Sequence, residues 1–461
     1  MVARHRLIHR PLLTAAAALA FGLLGSPAAD AETLRDALSA AYASNPTIQA
    51  ERANLRANDE NVNQANAGWK PTVIVTGDAG IQFTDQQNGV IAQTDTRYPS
   101  NATLNFTQPL YRGGSTTAQI ESAEALVRAG RENLRSTEQD ILLDVVTVYL
   151  DVLQNFAVVQ LNLNNETRLE RQLEAAQDRF EVGEITRTDV SQAEAALARA
   201  AADRAQAEGN LIAARASYAR VVGNRPGQLE PPPPLPKLPS SEEAALSVAQ
   251  NENPDLQAAV RNAESAKSDI RATSGQLLPQ VDFETLASHS RDGGQPGDEA
   301  TNLRVRGVVT VPIYQGGAVY SGVRQQRDVY NQRELQVLET QRLVNEGVTQ
   351  SWEALETARA RIEAGRAEVR ANEIALEGVI QEAQVGSRTT LDVLDAEQDL
   401  LDSQVALVQA ERDEYVAAFQ LLDAIGRLSV QTLDLDVDVY DPDEHYKETR
   451  TKWYGTGGGL D

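Results

Sequence analysis

No cysteine occurs among the 461 residues. The chain therefore has no disulfide, no thiolate metal site, no cysteine nucleophile and no acylated cysteine to tether a mature N-terminus. Aromatic residues make up only 5%, which is thin for a globular core of this size. Alanine, glutamine and charged residues take their place, the composition of long helices. Basic residues are also short: 42 Lys and Arg against 66 Asp and Glu leave a net charge of -24. That balance excludes a basic nucleic-acid surface and disfavours binding to anionic ones. Of the histidines, His5 and His9 fall in a leader, and His289 and His445 have no evident partner. No phosphate loop, G-x-S-x-G elbow, H-E-x-x-H helix or zinc-type cluster is written. No enzymatic activity, cofactor or metal site is expected. Beyond the leader no run of about 18 apolar residues occurs, so no transmembrane helix is expected either.

The leader has three parts. Arg4, Arg6 and Arg10 precede an apolar run at 12–24, and Ala29-Asp30-Ala31 follows as a cleavage pattern. This is the plan of a secretory signal peptide at 1–31, with an apolar run too short to span a bilayer. The mature chain is expected to begin near Glu32, in an envelope or extracellular space.

The remainder is written twice. Asn45-Pro46-Thr47-Ile48-Gln49 recurs as Asn253-Pro254-Asp255-Leu256-Gln257, 208 positions on. Gln108-Pro109-Leu110-Tyr111-Arg112-Gly113-Gly114 recurs as Val311-Pro312-Ile313-Tyr314-Gln315-Gly316-Gly317, 203 positions on. Val182-Gly183 with Thr188-Asp189-Val190 recurs as Val385-Gly386 with Leu391-Asp392-Val393, again at 203. Ordered landmarks at nearly one offset mark a tandem duplication. The change of offset between the first two landmarks places a shorter loop in the second copy. The copies run from 32–225 and 240–428, a Pro-rich linker at 226–239 separates them, and an acidic tail occupies 429–461.

Each copy reads as helix, two strands, long helix, break, helix. Asn45 and Asn253 are N-caps with Pro at the first helical position. The long helices are expected at 115–181 and 318–384, where Ile141, Val145, Val148, Val152, Phe156, Val159 and Leu163 keep a near-heptad step. Sixty-seven residues make a rod of about 100 Å. The shorter helices, ending near 68 and 276 and running 188–222 and 391–425, have the summed length to lie end to end beside it. Residues 103–107, 281–285 and 303–306 alternate apolar and polar, as a membrane β-barrel strand does and as one sheet of a sandwich also does. The segments 82–100 and 289–301 read as polar surface loops. With two strands per copy, the chain has four. Four strands cannot close, and an open edge cannot sit in lipid, so closure requires several chains.

The Asn-Pro helix starts, Pro312-Ile313-Tyr314-Gln315-Gly316-Gly317 and above all Val385-Gly386-Ser387-Arg388-Thr389-Thr390-Leu391-Asp392-Val393-Leu394-Asp395-Ala396 resemble the TolC-type outer-membrane efflux and secretion proteins. The tail around Tyr440 and Trp453 is similar to the type I secretion branch. The resemblance implies a homotrimer with one shared twelve-stranded outer-membrane barrel, sitting in outer-membrane lipid, and a twelve-helix periplasmic tunnel. It also implies a periplasmic adaptor and an inner-membrane pump as partners. Asp392 and Asp395 match the aspartates that line the family's closed aperture. Arg388 matches a latch residue facing Thr188-Asp189. The breaks at Val182-Gly183 and Val385-Gly386-Ser387 match the helical tip where the adaptor docks. The chain has Ala383-Gln384 where the family prototype has a tyrosine in the latch.

Read without the resemblance, Asp392 and Asp395 are an i, i+3 pair on one helix face, and Arg388 is i, i+4 to Asp392 and able to pair along its own helix. Pro109, Gly113, Gly114 and Pro312, Gly316, Gly317 sit where strand becomes helix and suit a barrel-tunnel hinge. Trp69, Tyr111 and Tyr314 suit either an interfacial belt or ordinary packing. The competing reading is a non-transporting periplasmic coiled-coil scaffold or adaptor. The strand pairs at 72–111 and 279–314 are what distinguish the two.

Overall fold

The computed structural model describes residues 31–456 except 89–90 and 295–296. The expected leader lies outside the described residues but for Ala31, as does the terminal Gly457-Gly458-Gly459. The duplication is physical. The first copy has α1 (Leu34–Ser44), α2 (Pro46–Asn66), β1 (Thr72–Ala79), β2 (Gln82–Asn88), β3 (Ile91–Arg97), β4 (Ser100–Arg112), α3 (Ser115–Glu181) and α4 (Arg187–Val222). The second has α5 (Glu242–Glu252), α6 (Pro254–Ser274), β5 (Gln280–Arg291), β6 (Glu299–Thr310), α7 (Ala318–Gln384) and α8 (Thr390–Ala424), and α9 (Pro442–Thr449) follows.

The two 67-residue helices α3 and α7 are the beams of the fold. Beside α3 lie α2 and α4, and α6 and α8 fill the groove between α3 and α7. Each shorter pair is stacked end to end, and one asparagine makes each joint. Asn45 Oδ1 accepts from the backbone N–H of Thr47 at 2.8 Å, while its Nδ2 donates to the carbonyl of Val221 at 3.0 Å. Asn253 repeats this, accepting from Leu256 N–H at 3.1 Å and donating to Ala424 O at 3.0 Å. A single side chain thus satisfies an orphan donor of one helix and an orphan acceptor of the other. Asn253→Ala removes both bonds at a buried site. It is expected to cost roughly 1–3 kcal/mol, read by thermal unfolding, with Asn253→Asp intermediate because it keeps only the acceptor.

α1 and α5 escaped the sequence reading. They pack beside the joints, α1 against α3 and α4 and α5 against α7. Beneath them lies the main core, with Leu38, Leu142, Tyr149, Tyr218, Val348, Leu355, Leu421 and Leu428 all essentially without solvent contact. The Pro-rich linker is fastened here. Tyr149 Oη donates to Glu230 O at 2.7 Å and Tyr218 Oη to a Glu32 carboxylate oxygen at 2.6 Å. Burial pushes both phenols above their ordinary range. α3 does contain a stretch long and apolar enough to cross a membrane by length and composition, against the expectation of none. The apolarity has another use, because Leu142, Val145, Val146, Tyr149 and Val152 of α3 build this core.

Four strands form one antiparallel sheet in the order β1-β4-β5-β6. Its register gathers most of the apolar side chains on one face, with Ile74, Leu286 and Val308 falling on the other. Val73, Phe106, Thr285 and Val305 align, as do Val75, Leu104, Ala287 and Leu303, all on one face. Phe106 and Phe283 meet edge to face there, 6.3 Å apart. The opposite face holds Asn105, Asp282, Glu284, Arg304 and Arg306. On it, Arg112 pairs with Asp282 at 2.8 Å and Arg306 with Glu284 at 2.7 Å. Segment 82–100 is not the loop expected: β2 and β3 pair as a hairpin in the register that β1 and β4 already set. The second copy has only the short 292–298 connection there, which accounts for the change of offset.

The acidic tail carries α9, which is docked along α2 and α3. His445 Nδ1 lies 3.0 Å from the buried carboxylate of Asp59, Arg131 reaches Asp443 at 2.6 Å, and Arg450 reaches Glu124 at 2.9 Å. His445 therefore has a partner that no local pattern revealed. Burial raises the Asp59 carboxyl, and the His445 contact opposes that.

Candidate functional site

The far end of the helical layer consists of two hairpins built alike. α3 stops at Val182 and Gly183 takes a left-handed φ of +80°. The N–H of Glu184 then closes the end by donating to Arg179 O at 2.9 Å. α7 stops in the same way at Val385, with Gly386 at φ +79° and Ser387 N–H donating to Glu382 O at 3.0 Å. Only glycine takes that conformation without strain. The next helix begins three residues later with a capping box. Thr186 and Asp189 open α4, and Thr389 and Asp392 open α8. Val182 and Val385 project at 73% and 81% exposure, apolar side chains set at the very tip.

Asp392 is thus the structural counterpart of Asp189. Thr389 donates to it from both backbone N–H, at 2.9 Å, and hydroxyl, at 2.8 Å. Those bonds hold its carboxyl below the ordinary range, so it is ionised throughout the neutral range. Asp189 is lowered in the same way by the Thr186 hydroxyl and backbone. The T-x-x-D spacing that carries both boxes was visible in the sequence. Asp395 is exposed one turn on from Asp392.

Within the protomer Arg388 does not meet Thr188 or Asp189. Its Nε lies 2.8 Å from Glu382 Oε2 and its guanidinium 4.0 Å from Asp392. Arg388 is therefore gathered into an acidic hairpin of its own, and Thr188 is exposed on α4.

At the other end of the beams, a glycine pair stands at each strand-to-helix joint. Gly113 and Gly114 have φ of +64° and +79°, and Gly316 and Gly317 have +63° and +81°. Gly113 is doubly constrained, since a Cβ there would run into the backbone of Gly275. Pro109 does not end its strand. β4 runs on to Arg112, with a bulge between Pro109 and Tyr111 that absorbs the missing donor. β6, an edge strand, stops at Thr310 before Pro312.

Where α8 meets α6, Asp140, Asp255 and Asp423 line a cavity of about 640 Å³ with Gln139, Gly347, Ser351 and Gln420. α5 lies over the Thr349 side of α7, held through Glu242 at 2.7 Å. Gly347 and Ser351 are half a helical turn away from Thr349, so the cavity opens on the face opposite α5. Burial first, then Asp140 and Asp255, push the Asp423 carboxyl up to about 7. Among the described residues no group of three or more acidic or histidine side chains is arranged to hold a metal ion.

The outer membrane efflux protein family matches by sequence over residues 37–224 and 245–427, once in each repeat. The outer membrane efflux protein BepC of Brucella suis is 38% identical over 97% of this chain and 96% of its own length. The outer membrane protein TolC of Vibrio cholerae is 27% identical over 93% of this chain and 98% of its own length. Among solved structures, the outer membrane protein VceC of Vibrio cholerae superposes with a TM-score of 0.74 at 20% identity, covering 85% of this chain and 96% of that one.

Proposed function

The chain belongs to the outer membrane efflux protein family, and from that premise we propose that three copies form an exit duct for a tripartite efflux or type I secretion system. The observation that carries the trimer is the sheet. Its two edge strands are β1 and β6, and directions alternate across β1-β4-β5-β6. A second copy's β1 therefore continues the antiparallel order beside β6. Three copies of four strands close a twelve-stranded barrel. The face with Val73, Val75, Leu104, Phe106 and Val305 then meets lipid, and the face with Asp282, Glu284 and Arg306 lines a wet lumen. This sheet also weighs against a scaffold or adaptor.

The helices extend the same cylinder into the periplasm as a tunnel, with α1 and α5 outside it. The tip valines and the turns at Gly183 and Gly386-Ser387 suit docking of a periplasmic adaptor, itself joined to an inner-membrane pump. Asp392 and Asp395 from three copies crowd the narrow end, where like charges concentrate cations. In the assembled ring Arg388 exchanges its own hairpin for Thr188-Asp189 of an adjacent one, and this latch keeps the aperture narrow.

One experiment tests both parts. Trimers in a planar bilayer are expected to be cation-selective and blocked by a multivalent cation added on the tip side. Asp392→Ala with Asp395→Ala abolishes the block while heat-resistant trimers persist. Arg388→Ser raises conductance, and adding Asp189→Ala to it changes little because the two residues share one interaction. Unchanged block in the double aspartate variant removes the aperture assignment. Simple addition of the Arg388 and Asp189 effects removes the latch.

A further inference from the structure

Beyond α9 the chain is fastened at Arg450 and Lys452. Asn66 Nδ2 donates to Arg450 O at 3.3 Å, and Lys70 Nζ donates to Lys452 O at 2.8 Å and to Asn63 at 2.7 Å. Upstream, Tyr446 lies beneath the guanidinium groups of Arg131 and Arg450, 5.4 and 5.7 Å from its ring centre. Directly after these fastenings come two large aromatic side chains, Trp453 at 67% and Tyr454 at 90% exposure. The Lys70 ammonium stands 5.7 Å from the Trp453 ring centre.

The place to which they are delivered matters. Lys70 is two residues ahead of Thr72, where β1 starts, and Val73 and Val75 of the apolar sheet face follow at once. The strand start is the end from which the helical tunnel leaves, hence the periplasmic end of the barrel. Two aromatic rings with a lysine between them and the first strand have the chemistry of the headgroup layer. An amphipathic ring there buries its apolar body and keeps its polar edge wet, and a cation meets phosphate.

We propose that Trp453 and Tyr454 are a membrane anchor, inserted in the phospholipid headgroup layer of the periplasmic leaflet beside the barrel. The lipid surface is favoured as occupant because the Lys70 contacts hold Trp453 beside the start of β1, whose Val73 and Val75 belong to the face that the barrel turns to lipid. The proposal rests on the barrel reading above. It gives the docked tail a purpose: α9 and its ion pairs aim the rings at the membrane.

The chain has three tryptophans, so Trp69→Phe with Trp352→Phe leaves Trp453 as the sole emitter. The full-length trimer is reconstituted in phosphatidylethanolamine and phosphatidylglycerol vesicles whose acyl chains are brominated near the glycerol. Trp453 emission is expected to fall roughly twofold against unbrominated vesicles, as for an interfacial tryptophan. A parallel protein lacks all native tryptophans and carries Val75→Trp. Quenching of Val75→Trp but not of Trp453 overturns the anchor and leaves the barrel standing. Quenching of neither overturns the barrel and the anchor with it. Trp453 quenched by aqueous acrylamide alone, or by neither agent because a neighbouring copy covers it, also overturns the anchor.

Discussion

Asp423→Asn is expected to stabilise the protein at pH 8 and to change its stability little at pH 4. The Asp423 carboxyl stands near 7 in the folded chain against an ordinary 3.8, through burial and the charges of Asp140 and Asp255. The folded state therefore holds this proton more tightly than the unfolded state. Its contribution to stability is fully present below about 4 and is lost as pH rises through about 7. The full swing has an upper bound of about 4 kcal/mol. Asparagine keeps the shape and never ionises, so the wild type and Asp423→Asn should diverge between those limits. Denaturant or thermal unfolding at steps from pH 4 to pH 8 checks it. A constant difference across the range would mean that water reaches Asp423 freely in the folded protein.

Val305→Arg is expected to cost about 2–4 kcal/mol per chain, because in the proposed barrel a cation near the middle of β6 must be buried in hydrocarbon. Asn302→Arg, on the same strand but on the face shared with Arg304 and Arg306, is expected to cost little. The two substitutions add the same charge three residues apart on opposite faces of β6, so the solvent on each face is the main difference between them, with Asn302 the nearer to the loop end. Heat-resistant trimer recovered from membranes is the readout. Equal losses would show that the sheet has water on both faces, which ends the barrel assignment.

Proline and glycine made much of this fold legible. Asn45-Pro46, Asn253-Pro254 and the Gly113-Gly114 and Gly316-Gly317 pairs act through their own backbone preferences, and the structure uses each where the sequence placed it. The strand faces were legible for the same local reason, since alternation survives in residues 281–285 and 303–306. α1 and α5 were not. Each is only 11 residues long and passes into the next helix through a single asparagine, which reads as the start of that next helix rather than as the end of an earlier one. The β2–β3 hairpin, polar throughout its described side chains but Phe83, forms because a register established by β1 and β4 carries on. The docking of α9 depends on Asp59, Glu124 and Arg131, hundreds of positions away, and the Asp140, Asp255 and Asp423 cavity draws on four helices. Arg388 shows the boundary. Its i, i+4 neighbour Asp392 was readable, whereas Glu382 across the turn required the shape of the hairpin.

The equality of α3 and α7, 67 residues each, has an evolutionary consequence. Both helices start from a glycine pair at one end of a common sheet and finish at the same kind of glycine turn. Deleting one helical turn from α3 alone would lift its tip by about 5 Å and rotate nothing to compensate. It would also part Asn45 or Val221 from its joint, because α2 and α4 together must match the same span. The reach of the duct is therefore a quantised trait, altered only by matched indels in both halves of the gene. Ancestral duplication fixed a gauge that point mutation cannot retune.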